Sequence, residues 1–110
     1  MRFAVEIAIL CRRVRTTTDG RAIAGQLFRS ATSVAANYRA TCRARSLKEF
    51  VAKLGVVVEE CDETLFWLEL LSRLGLVDSA ALRPALLEAD QLLAIFVVSR
   101  GTARKRLTPS

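Results

Sequence analysis

Residues 46–75, SLKEFVAKLGVVVEECDETLFWLELLSRLG, decide the fold. Ser46 and Glu49 stand in the S-x-x-E spacing of a capping box, in which the serine oxygen accepts from a backbone N–H of the first turn. Gly75 suits the left-handed residue that stops a helix. Between these two signals Leu47, Phe50, Val51, Leu54, Val58, Cys61, Leu65 and Leu68 recur at helical spacing. The spacing predicts one helix over 47–74, about 42 Å long at 1.5 Å per residue.

Working outward, Arg45-Ser46 is a turn. Upstream of it Ile23, Leu27, Ala31, Val34, Tyr38 and Cys42 form a core stripe that predicts a helix over 21–43. Thr16 to Gly20 reads as a turn with Asp19 as the N-cap. Before it, Phe3, Ile7, Leu10, Cys11 and Val14 predict a helix over 3–15. Beyond Gly75, Asp78 or Ser79 caps a fourth helix over 79–101, with Pro84 in its first turns and a stripe of Leu82, Leu86, Ala89, Leu93 and Phe96. Residues 102–110, with Arg104-Lys105-Arg106, read as a basic flexible tail. The expected fold is all-α: one domain over 1–101, an antiparallel up-down-up-down four-helix bundle joined by short connections. The first helix spans only about 20 Å and has no capping residue. Either the start is truncated or a neighbouring subunit covers the exposed end.

Composition narrows the function. The 110 residues are 52% apolar and 25% charged, a globular balance. Histidine is absent, which removes Ser-His-Asp and Cys-His nucleophiles and every imidazole metal site. Cys11, Cys42 and Cys61 have no CxxC spacing and fall on apolar helix positions, where cysteine serves as a small hydrophobe. Glu59 and Glu63, one turn apart, are the densest carboxylate pair, but bundle di-metal sites need Glu-x-x-His partners. They read as a solvated or salt-bridging face. No phosphate loop and no GxSxG is present. The expectation is therefore no enzyme, no metal and no cofactor. The longest apolar run, Leu92 to Val98, is far short of a membrane span, so a cytoplasmic location without membrane attachment is expected.

The net charge is +6, and it is unevenly distributed. Residues 1–58 carry +8, residues 59–90 carry −6 and residues 91–110 carry +4. A basic balance favours a polyanionic partner, while an acidic segment between basic ones also suits self-association. Arg39, Arg43, Arg45 and Lys48 cluster across the turn between the second and third helices, and Arg12, Arg13 and Arg15 crowd the end of the first. Such groups bind phosphates without reading sequence, or pair with the acids of another subunit. On the third helix Val56, Phe66, Trp67 and Leu70 lie on the face away from the core stripe, where an apolar patch marks an interface. On the second, Gln26, Ser30, Ser33 and Asn37 line up as small polar residues of a helix seam or as an ordinary solvated face.

The pattern Gln26-Leu27-x-Arg29-Ser30-Ala31-x-Ser33-Val34-x-x-Asn37, with Arg45-Ser46-x-x-Glu49-Phe50 and Glu60-x-x-Glu63-Thr64-x-x-Trp67-Leu68, resembles the bacterial four-helix-bundle family of 23S rRNA intervening-sequence proteins. That family includes the accessory variability proteins of diversity-generating retroelements. The likeness extends over about residues 2–100. It implies an up-down bundle assembled as a ring-like homopentamer. It also implies a partner set of RNA or DNA and, for the retroelement members, a reverse transcriptase. Two features depart from the common form. Tyr38-Arg39-Ala40-Thr41 stands where many members carry Ala-Glu-Gly, and the segment that usually precedes the first helix is missing. The functional expectation is a non-enzymatic homo-oligomeric accessory protein that binds nucleic acid through basic patches. The alternative is a scaffold whose arginines form intersubunit salt bridges, with a protein partner and no nucleic acid.

Overall fold

Local chemistry sets the bounds of each helix. In a computed structural model describing residues 1–107 there are four: α1 (Arg2–Cys11), α2 (Thr18–Cys42), α3 (Leu47–Leu74) and α4 (Ser79–Leu107). No strand occurs among the described residues. α3 has the expected limits. The Ser46 hydroxyl oxygen accepts from the Glu49 N–H at 3.0 Å, and Gly75 takes φ +65° at the other end. That left-handed conformation costs a glycine little and other residues considerably more.

The other three bounds differ from expectation. α1 stops at Cys11 because the chain tightens there into i to i+3 bonds, Arg13 N–H to Leu10 O at 2.9 Å and Val14 N–H to Cys11 O at 3.3 Å. The Arg15 N–H then leaves for the Leu76 carbonyl at 3.0 Å. α2 begins three residues early, with Thr17 and not Asp19 as N-cap: the Thr17 Oγ1 accepts from the Gly20 N–H at 3.1 Å. Asp19 sits in the first turn, where its charge favours the helix N-terminus. The Thr17 hydroxyl, donating to it at 2.6 Å, chiefly lowers its pKa. α4 runs on to Leu107, so the expected flexible tail is helical through residue 107, and residues 108–110 lie outside the described residues. Gly101, the last residue of the helix expected from sequence, keeps a helical backbone; the one described residue with positive φ is Gly75.

Neighbouring helices run antiparallel. Cross-links between them descend one helix as they climb the next. The Thr64 hydroxyl meets Ser30 Oγ at 3.0 Å between α3 and α2. Cys61 Sγ reaches the Ala89 carbonyl at 3.6 Å, and Arg100 Nε donates to Val51 O at 3.1 Å, both between α3 and α4. α1 lies between α2 and α4, with α3 on the opposite side of the pair. The result is a rod of 51 × 21 × 21 Å.

α1 has 10 residues and its companions 25 to 29, so it covers only part of the rod. Where it packs, Ile7, Leu10, Leu27, Leu68, Leu71 and Leu82 belong to one large core cluster. Beyond Met1 the section is three helices thick, with a smaller cluster of Val34, Leu54, Val57, Cys61 and Phe96. Tyr38 and Cys42, expected in the core, are exposed there because no fourth helix covers them. Within α3 the buried face is wider than the stripe read from the sequence. Val57, Thr64 and Leu71 are fully buried, while Leu47, Phe50, Val58 and Leu65 are half-buried. A helix packed between two neighbours presents two contact lines to them, and one stripe describes only one of these.

Candidate nucleic-acid interface

Antiparallel topology sorts the charges by end. Arg39 and Arg43 close α2, and Arg45 and Lys48 flank the start of α3. The last turns of α4 arrive at this same end, because Arg106, Thr102 and Ala103 line one cleft with Leu47 and Phe50. Arg104, Lys105 and Arg106 therefore join the four bases read from the sequence. Arg39, Arg43, Arg45, Lys48, Lys105 and Arg106 are all exposed, and none of these six makes an ion pair among the described residues. The nearest acid in sequence, Glu49, is held by Lys53 at 3.5 Å. Arg100 is set apart from this group. It is half-buried against Gly55, where a Cβ would stand only 3.0 Å from the guanidinium, and it is engaged by the Val51 carbonyl.

Arg12, Arg13 and Arg15 are exposed as well, but at the opposite end of the rod, where Arg15 is tied to Leu76. The two basic groups therefore do not form one site. Aspartates accompany this second group: Asp19 opens α2 and Asp78 precedes α4. The middle of the rod is where positive charge is cancelled. Arg29 bonds Gln26 Oε1 at 3.1 Å and Glu60 at 3.3 Å, and it also pairs with Glu63. Glu63 in turn accepts from the Trp67 indole N–H at 3.2 Å. Of the pair Glu59 and Glu63, Glu63 is thus engaged by an arginine and an indole, and the neighbouring Glu60 by the same arginine. Among the described residues no group of three His, Cys, Asp or Glu is placed to hold a metal ion.

The expected oligomer surface divides. Val56 and Phe66 are exposed on α3, at 41% and 54%. Trp67 and Leu70 are half-buried and pack against the large core cluster, which corrects the outward placement read from the helical wheel. Trp67 stays near the surface through its bond to Glu63 and an edge-to-face contact with Phe66, with ring centroids 4.9 Å apart. The proposed seam divides too. Ser30 is buried and bonded to Thr64, whereas Asn37 is half-buried and donates within its own helix, to Ser33 O at 2.9 Å and Ser33 Oγ at 3.0 Å. Gln26 is exposed. No buried side-chain polar atom among the described residues lacks a partner.

The cysteines behave as burial dictates. Cys61 is fully buried, and desolvation with the nearby Asp62 charge pushes its thiol up to about 11. Burial also raises the half-buried Cys11. Cys42 is exposed beside Tyr38, and its hydrogen bond is the largest of the effects that raise the tyrosine hydroxyl. The apolar stripe of α2 predicts Tyr38 inside; its surface position shows only when the length of α1 is known.

A basic rod of four antiparallel helices, with exposed cations gathered at one end, is the class that fold and charge define. The chain belongs to the 23S rRNA-intervening sequence protein family, whose model matches residues 1–97. It is similar to a protein of unknown function from the S23 ribosomal protein family of Bacteroides thetaiotaomicron, known from a crystal structure. The two are 27% identical with a TM-score of 0.82, over 90% of this chain and 92% of that one. No curated protein matches the chain. No described helix is long and apolar enough to cross a membrane.

Proposed function

We propose that this protein is a non-enzymatic, homo-oligomeric accessory protein of the cytoplasm. It binds RNA or DNA through the end of the rod that carries Arg39, Arg43, Arg45 and Lys48. One observation supports this more than any other: helical continuation of α4 brings Lys105 and Arg106 to the same end, and among the described residues no acid pairs with any of these six. Flexible exposed cations whose nearest acid in sequence, Glu49, is engaged by Lys53 are well suited to phosphates, and they make contacts that carry no sequence information. Self-association repeats the basic end once per subunit, so weak contacts reinforce one another. Exposed Val56 and Phe66, with Phe28 at 48% exposure on α2, supply apolar surface for that assembly. A ring-like pentamer is the state suggested by the resemblance to ring-forming relatives, and a reverse transcriptase is the protein partner suggested by the retroelement members.

The test combines mass with salt dependence. Light scattering should give about 60 kDa for a pentamer of 12.1 kDa chains. Phe66→Glu should lower that mass with helical circular dichroism unchanged. Oligonucleotide affinity should fall with salt at a log–log slope of about −0.9 per duplex phosphate neutralised. A monomer that ignores DNA and RNA at low salt overturns the proposal. An oligomer that ignores both leaves the scaffold reading, with the arginines facing acids of a protein partner.

A further inference from the structure

Tyr38 is the chain's one tyrosine, and it stands at the point where the three-helix section opens. Its ring leans on Phe96, with centroids 5.4 Å apart and planes inclined by 41°, yet 46% of the residue is open to solvent. A cleft of about 430 Å³ runs from Met1 along α2 and α4 past Val34, Ala35, Leu92 and Ile95. A second of about 510 Å³ adjoins it, lined by Met1, Ala35, Tyr38, Arg39, Cys42 and Arg43. Tyr38 borders both. The apolar cleft is therefore flanked on its α2 side by two exposed arginines one helical turn apart. At its far end the one carboxylate, Glu88, lies 3.8 Å from Arg2.

An exposed aromatic ring beside free arginines is the arrangement that single-strand binders use. Unpaired bases stack on the ring while cations follow the backbone. A base pair inside a duplex offers no free face to such a ring. Resting on the basic-end reading above, we propose that Tyr38 is a stacking platform for an unpaired nucleobase. The base enters the cleft between α2 and α4, and Arg39 and Arg43 take the adjoining phosphates. The preferred ligand is then single-stranded nucleic acid, with duplex held by the arginine and lysine side chains alone. Charge complementarity favours this occupant over an apolar helix of a second copy, which would leave Arg39 and Arg43 uncompensated at the rim.

The experiment is fluorescence anisotropy at fixed salt, with labelled oligo(dT) and with a mixed-sequence duplex of equal length. Tyr38→Ala should weaken binding of the single strand roughly tenfold and leave the duplex affinity and the salt slope unchanged. Tyr38→Trp should retain single-strand binding. Irradiation of a 5-iodouracil-substituted strand should attach it to Tyr38, read by mass spectrometry. If both ligands bind wild type and Tyr38→Ala affects neither or both equally, the stacking role is wrong and the basic-end reading stands. If wild type binds neither, both fall. If Tyr38→Ala lowers the assembly mass with affinity unchanged, a second copy fills the cleft and the proposal is overturned.

Discussion

The two ends of the rod are built from the same helices and differ in one element. At the end that α1 covers, four helices enclose Ile7, Leu27, Leu68, Leu71 and Leu82, all 1% exposed or less. At the other, three helices share a cluster of five buried residues, and around it stand Tyr38, exposed cations and two clefts. Burial is what stabilises a small domain, at about 25 cal/mol per Å² of apolar surface. The covered end therefore holds most of the stability, and the open end has surface left over for a ligand. Binding regions are commonly drawn from the less stable part of a fold.

The sharpest way to break that comparison is to cut one leucine from each end. Leu27→Ala empties space enclosed by four helices and should cost about 3–5 kcal/mol in chemical denaturation. Leu54→Ala leaves a site that the thinner section can relax into, and should cost nearer ~2 kcal/mol. Equal losses would mean that the ends are equally well packed.

A second pair of variants uses the glycines. A Cβ at Gly20, on the covered end, would stand 2.2 Å from the Arg15 carbonyl oxygen. Gly20→Ala therefore forces the backbone apart and should cost about 1–3 kcal/mol. At the open end, a Cβ at Gly101 would meet nothing within 4 Å. Gly101→Ala should stabilise α4 by about 0.5–1 kcal/mol through helix propensity. No gain in stability or helicity there would mean that α4 ends near residue 101, as the sequence alone suggests.

The uneven legibility of the sequence has the same origin. α3 reads correctly to the residue because its signals are local: a serine oxygen within reach of the first turn, and a glycine able to take positive φ. The basic group Arg39, Arg43, Arg45 and Lys48 is local too, since a single turn holds it together. What fails depends on distant elements. Tyr38 and Cys42 continue an unbroken apolar stripe, and nothing in α2 says that α1 is too short to cover them. Trp67 and Leu70 lie outward on a wheel drawn for one partner and half inward once α3 packs against two. Arg104 to Arg106 follow a glycine, and only the continued helix brings them beside Leu47 and Phe50.

The most direct measurement compares charge reversal at the two ends. Arg39→Glu with Arg43→Glu at the open end, and Arg12→Glu with Arg13→Glu at the covered end, remove equal charge from exposed positions. Oligonucleotide affinity is then followed across a salt series. The open-end variant should lose tenfold or more in affinity, at about one unit of salt slope per lost phosphate contact. The covered-end variant should stay within about threefold of wild type, through its smaller long-range effect. Equal losses from the two variants, or an open-end variant that binds like wild type, would contradict the assignment of function to the open end.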